Sequence, residues 1–253
     1  MQGGLIMDMN LYGKVALVSG CSQGLGYHAA LALAKQGADI FGVSIGDDSS
    51  LKKAIEATGR NYHSFTISLT TPGAIHQVMK EALAAYGHID ILLNYAAILK
   101  KEETLELTKL EWNSAYDINV SAAFFLSLEV IRQFQKQGHG GKIINATGIL
   151  PRHTSAYCAY AISNGAIEAM TRYLAMEFGK DQIQVNAIQY GFMSCGSTLQ
   201  GEKEEWDTSL LTAIPIGRWG MDQDSDGLVT LLASDASNYI TGVCIPVDGG
   251  YSI

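Results

Sequence analysis

Gly20, Gly24 and Gly26 sit between a short apolar run and an amphipathic stretch. Glycine at such a junction lets backbone N–H groups close on a pyrophosphate, which the N-terminus of the following helix then stabilises. The chemistry this predicts is dinucleotide binding; the plainer alternative is a tight strand–helix turn that needs glycine only for its backbone freedom. The other reactive side chains form no set. Cys21, Cys158, Cys195 and Cys244 lack metal-ligand spacing, so no metal site is expected, and free thiols in a reducing cytoplasm are the expectation. His28, His63, His76, His88 and His139 share no spacing. Arg152 could meet an anionic group and His153 could exchange a proton, with solvated loop residues as the plainer reading of both.

Such a turn must be held by strands and helices in alternation. Strand candidates are Lys14–Ser19, Ile40–Ser44, Ser64–Ile67, Ile89–Asn94, Lys142–Thr147, Gln184–Ile188 and Val243–Val247, several of them near-continuous in Val, Ile, Leu or Ala. Between them Tyr27–Gln36, Ala74–Tyr86, Lys109–Gln137, Ala156–Phe178 and Ser225–Ser234 carry helical periodicity. This order predicts an α/β fold: one Rossmann-like, doubly wound parallel sheet with helices on both faces and right-handed crossovers. No linker or repeat divides residues 1–253, and Ser194–Pro215 is the only sizeable irregular insertion expected.

Composition narrows the function. Hydrophobic residues at 47% and charged residues at 17% suffice to bury a sheet covered on both faces. A formal net charge of −8 argues against a nucleic-acid surface. No apolar run reaches 18 residues, so no membrane span is expected. Met1–Asp8 lacks the charged and apolar regions of a secretory signal, and a soluble, cytoplasmic protein is the expectation.

Four segments carry a resemblance. Ser19-Gly20-Cys21-Ser22-Gln23-Gly24-Leu25-Gly26, Asn119, Tyr160-Ala161-Ile162-Ser163-Asn164 and Val247-Asp248-Gly249-Gly250 together resemble the short-chain dehydrogenase/reductase family over nearly the whole length. Gly87-His88-Ile89-Asp90-Ile91-Leu92, Gly141-Lys142-Ile143-Ile144-Asn145 and Ile216-Gly217-Arg218-Trp219-Gly220 are most similar to hexonate and deoxygluconate dehydrogenases. The resemblance implies NAD or NADP as cofactor, with Gly20, Gly24, Gly26 and Asn94 binding it. It implies Tyr160 as the proton-transfer residue, Asn119 in a supporting relay, and a Ser and a Lys beside them. Here Gly148 stands at the Ser position, with Thr147 as the neighbouring hydroxyl, and Asn164 stands at the Lys position.

The departures set an expectation about activity. A tyrosine of ordinary pKa near 10 is ionised in only about one molecule in a thousand at pH 7, and a nearby cation lowers that pKa by roughly 1–3 units. Asn164 cannot supply this charge. In the cofactor region Ser44 and Ser68 replace acidic residues, with Asp47 and Asp48 as possible substitutes for the first. Tyr95, Ala97 and Tyr190 replace the smaller or differently shaped residues of the family. Weak or absent cofactor binding is therefore expected. The leading expectation is a catalytically impaired partner of an intact paralogue in a hetero-oligomer; the alternative is an active NAD(P)-dependent alcohol dehydrogenase or ketoreductase using Tyr160. Family members assemble as dimers or tetramers through the helices matching Lys109–Gln137 and Ala156–Phe178.

Overall fold

The computed structural model describes residues 9–149, 157–194 and 208–253. Cys195, Arg152, His153, the Met1–Asp8 segment and most of the Ser194–Pro215 insertion lie outside the described residues. Seven strands form one parallel sheet: β1 (Val15–Ser19), β2 (Asp39–Ser44), β3 (Tyr62–Thr66), β4 (Ile91–Asn94), β5 (Gly141–Gly148), β6 (Ile183–Tyr190) and β7 (Cys244–Val247). Their spatial order is β3-β2-β1-β4-β5-β6-β7. The order reverses between β1 and β4, so the chain ends of these two strands open a crevice at the switch point.

Strand residues fix the sheet's position. Val15, Ala16, Leu17 and Val18 are all buried, because helices cover both faces. One layer, with Ala29, Ala30 and Leu33 of α1 (Gly24–Lys35) and Val229 and Leu232 of α8 (Asp226–Ala233), packs on Ala16, Val18 and Leu93. The other, with Val78 of α3 (Ala74–Tyr86), Leu126 and Val130 of α5 (Ala123–Gln137) and Ile167 and Leu174 of α6 (Cys158–Phe178), packs on Leu17, Leu92 and Ile143. Alternate side chains of one strand thus serve opposite layers, as the period of two requires.

The structure refines the expected elements. Helix α1 begins at Gly24, three residues earlier than the periodicity predicts, so the glycine turn itself opens it. An additional helix, α2 (Ser49–Glu56), buries only Leu51 and Ile55, too little apolar signal for the pattern to register. The run Lys109–Gln137 is three pieces: α4 (Lys109–Tyr116), a π turn at Asp117–Ala122, and α5. Among the described residues this continuous run is the one helix long and apolar enough to cross a membrane, but it is half-buried and packs on α3, β4, β5 and α6 as a core helix. Within the insertion a short helix, α7 (Thr208–Ala213), is present.

Candidate active site

The carboxyl ends of β1, β4 and β5 and the start of α6 enclose a cleft of about 860 Å³. The glycine turn forms one end. Gly20 and Gly24 adopt φ of +72° and +60°, where other residues are strained. A Cβ on Gly20 would stand 2.6 Å from the Ala96 backbone nitrogen, and one on Gly26 would collide with the Gly20 carbonyl oxygen. The N-terminus of α1 has no side-chain cap and no acidic residue in its first turn, and Gln23, Gly24 and Leu25 face the cleft. Its unsatisfied N–H groups suit an anion. These residues fit a dinucleotide's pyrophosphate.

Tyr95 and Tyr190 do not close the cleft. Both rings are buried in its floor, at 9% and 5% exposure. Their hydroxyls are 2.7 Å apart, and Tyr190 donates onward to Ser225 Oγ at 3.3 Å. Burial first, then each other's proximity, raises the pKa of Tyr95 well above normal, and burial pushes Tyr190 up to about 12. Both remain neutral hydroxyls. The rings that replace the family's residues here lie in the floor, and the space above stays open.

At the adenosine end the substitutes for the missing acid are engaged elsewhere. Asp47 accepts from Ser49 N and Oγ, and Asp48 accepts from the Tyr62 hydroxyl at 2.7 Å. Ser44 donates to the Gly46 carbonyl. Ser68 lines the cleft and shares a 2.8 Å hydrogen bond with Thr70. Asn94, the expected cofactor contact, lines the cleft. Its amide donates to Asn145 Oδ1 at 2.8 Å and Ser127 Oγ at 2.9 Å, tying β4 to β5 and α5, while its buried Oδ1 has no protein partner.

The catalytic candidates come together at the other end. Tyr160 lies in the first turn of α6, whose N-terminus is capped from a distance: the Glu102 carboxylate accepts from Ala159 N at 3.1 Å. Asn119 sits in the π turn, which places an extra residue in the helix at a functional position. It accepts from Ile98 N at 2.8 Å, donates to Ile98 O at 3.0 Å and to Ser163 Oγ at 3.1 Å. Asn119 is therefore a clamp on the segment after β4. Thr147 lies beside the pair but donates to the Asn164 carbonyl at 3.4 Å. Gly148, and not Thr147, faces Tyr160: a Cβ there would stand 2.7 Å from the Tyr160 hydroxyl and 3.1 Å from Asn164 Nδ2. Burial raises the Tyr160 pKa, and the neighbouring Asn164 amide opposes this only in part.

Sequence reasoning missed two contributors. Ser19 Oγ accepts from Tyr95 N and Ala96 N, at 3.2 and 3.3 Å, and so shapes the turn after β4. Lys101 is the only charged residue among the described lining of the cleft. The bridge between Glu102 and Tyr157 puts it near the start of α6, at the Tyr160 end. Its signal was available, since Lys100-Lys101 follows the β4 turn by a few residues. Of the histidines, His28 pairs with Asp222 at 2.6 Å and His88 bridges the Gly13 carbonyl and Asp90, both outside the cleft.

Comparison with known proteins agrees with this geometry. Residues 20–252 match the family model described as enoyl-(acyl carrier protein) reductase. The chain is 39% identical over 249 residues to the 2-dehydro-3-deoxy-D-gluconate 5-dehydrogenase of Dickeya dadantii, covering 98% of each. A short-chain type dehydrogenase/reductase from Mycobacterium marinum superposes with a TM-score of 0.92 at 28% identity, over 97% of this chain and 98% of that one. A candidate 2-deoxy-D-gluconate 3-dehydrogenase from Agrobacterium tumefaciens, solved with bound NADP, gives 0.88 at 28% identity, over 97% and 99%.

Proposed function

The chain belongs to the short-chain dehydrogenase/reductase family, and we propose that it is an active, cytoplasmic NAD(P)-dependent oxidoreductase that interconverts a hydroxyl and a carbonyl on a deoxy-sugar acid. The observation that carries this reading is the open cleft, with a glycine turn at one end and Tyr160 at the other. A nicotinamide nucleotide, when bound, supplies or accepts the hydride. The chain's own part is to hold the pyrophosphate at Gly20–Gly26, to move a proton at the substrate oxygen through Tyr160, and to fix the 98–102 segment through Asn119. Lys101 offers the cleft's positive charge to a substrate carboxylate, which suits the acidic substrates named for the relatives. The free thiols of Cys21, Cys158 and Cys244 suit a reducing compartment.

Calorimetric titration of the purified protein with NADP and NAD tests the cofactor half, and reduction of 3-deoxy-2,5-diketo-hexonates with the reduced nucleotides tests the rest. Micromolar affinity, about 7–8 kcal/mol, is expected for one nucleotide, with measurable turnover. Millimolar affinity for both together with no turnover would defeat the proposal. A second reading, a partner subunit of an intact paralogue, is supported by the neutral Asn164 at the family's Lys position. Co-expression with such a paralogue tests it: separate elution of the two chains and unchanged partner activity would end it.

A further inference from the structure

Lys100 and Lys101 are identical neighbours on the segment after β4, yet they stand on opposite sides of it. Leu99 and Lys101 line the cleft, whereas Lys100 and Glu102 line a second cavity of about 220 Å³, walled by α4 and the start of α6. Alternation of this kind is the period of extended chain, so a slip of one residue would exchange the two lysines. The register must be held by contacts outside the segment.

Those contacts are unequal. At the near end Asn119 brackets Ile98, accepting from its N–H and donating to its carbonyl. In the middle Lys100 pairs with Glu111 of α4, but the lysine side chain is 58% exposed, and pairs in water contribute little. At the far end Glu102 is fastened twice. Its backbone forms a parallel bridge with Tyr157, and its carboxylate accepts from Ala159 N at 3.1 Å. Helix α6 has neither a side-chain cap of its own nor an acidic residue in its first turn. Glu102 therefore supplies both the acceptor and the negative charge that this helix N-terminus lacks. A slip that brought Lys101 to the same place would leave Ala159 N unpaired, since a lysine has no acceptor.

Resting on the oxidoreductase reading above, we infer that Glu102 is a positioning residue that sets the reach of the site. It ties the residue after Lys101 to the residue before Tyr160, and so fixes how far the cleft's positive charge stands from the tyrosine. A sugar acid whose carboxylate meets Lys101 then presents one carbon, and not its neighbours, at Tyr160. Selectivity for the number of carbons between carboxylate and carbonyl follows, because a misplacement of about 1 Å costs roughly a hundredfold in rate. Glu102 thus acts on specificity without touching the substrate.

Variants at Glu102 test the inference in the full chain. Glu102→Ala should raise KM for a 3-deoxy-2,5-diketo-hexonate about tenfold at unchanged nucleotide affinity. It should also erode the preference over an acid with one carbon fewer between carboxylate and carbonyl. Glu102→Asp, whose carboxylate falls short of Ala159 N, should behave alike and serves if the alanine variant does not fold. Glu102→Gln keeps an acceptor and should restore KM to within about threefold of wild type, and Lys100→Ala should change it less than about twofold. Unchanged KM and preference in Glu102→Ala and Glu102→Asp, or no rescue by glutamine, would overturn the inference. A binding readout needs no turnover. Lysines methylated with ¹³C keep their charge, and the Lys101 methyl resonance, assigned by its loss in Lys101→Ala, should move on titration with D-gluconate. That response should weaken about tenfold in Glu102→Ala or Glu102→Asp, while Lys100 stays still. No response at Lys101, a response at Lys100 in its place, or one indifferent to Glu102 would equally refute the tie. A Glu102-dependent response in a protein that reduces no keto acid would sink the oxidoreductase proposal and leave the tie standing.

Discussion

The hydroxyls of Tyr95 and Tyr190 meet at 2.7 Å beneath the cleft, linking the residue after β4 to the last residue of β6. The pair continues to Ser225 Oγ at 3.3 Å and so ties the sheet to the start of α8. This buried chain of hydroxyls holds the floor of the cleft.

The two hydroxyls should therefore be coupled, each removal costing less once the other is gone. Tyr190→Phe strands the Tyr95 and Ser225 hydroxyls and is expected to destabilise by about 1–3 kcal/mol. Tyr95→Phe should cost about as much. Because the partner left unpaired is already gone, the double variant should fall short of the sum by about 1 kcal/mol. Urea unfolding of the four proteins provides the cycle, and strict additivity would contradict the coupling.

Asn119 makes three hydrogen bonds from a side chain that is 6% exposed, two of them to the backbone of Ile98. Asn119→Ala should cost about 2–3 kcal/mol by leaving those backbone groups unpaired. It should also raise KM, because the released segment carries Lys101. Asn119→Asp keeps the acceptor for Ile98 N and loses the two donated bonds, so an intermediate loss is expected. Equal stability of wild type and Asn119→Ala would disprove the clamp.

Lys142 predicts a pH dependence of stability. Its Nζ donates to Asn238 Oδ1 at 2.6 Å and Ser237 Oγ at 3.3 Å, in the turn that follows α8, from a buried position. Burial lowers its pKa to about 8, against the pull of Asp235 and with a small push from Lys14. Between about pH 8 and the ordinary lysine value of 10.5, the unfolded chain keeps a proton that the folded one has lost. Stability contributed at this position therefore rises with pH through that window and is constant below it. Relative to Lys142→Met, the wild type should gain about 1–2 kcal/mol from pH 8 to 10. Parallel curves for the two proteins would show that the lysine titrates normally.

Assembly should depend on α6. Ile162, Tyr173 and Met176 are 48%, 57% and 76% exposed, and with Ala169 they recur at helical spacing along one outward stripe. Phe125 on α5 adds 54% exposure. An apolar stripe of this length marks an interface. Tyr173→Glu with Met176→Glu should shift the protein to smaller species in light scattering after size exclusion, with little change in the monomer's unfolding. Unchanged mass would place the interface elsewhere.

The sequence by itself determined the architecture. Near-continuous apolar strands such as Ile91–Asn94 can only be buried on both faces, and their alternation with helices leaves a parallel sheet as the solution. Gly20 and Gly26 were legible for the same local reason, because a Cβ at either position meets backbone. Tyr160, Asn119 and Asn164 were legible as positions, through the resemblance to the family. Their roles were not, since a role depends on what a side chain meets after folding. Asp47 and Asp48 look available in the sequence, yet Ser49 and Tyr62 claim them. Tyr95 and Tyr190, 95 residues apart, look like obstructions until strand register turns their hydroxyls toward each other. Thr147 and Gly148 are adjacent in sequence, and only the pleat of β5 decided that the glycine, with no side chain at all, faces the tyrosine. Local propensity and periodicity write the elements, whereas the chemistry of the site is set by distances between them that exist only once the sheet has closed on its helices.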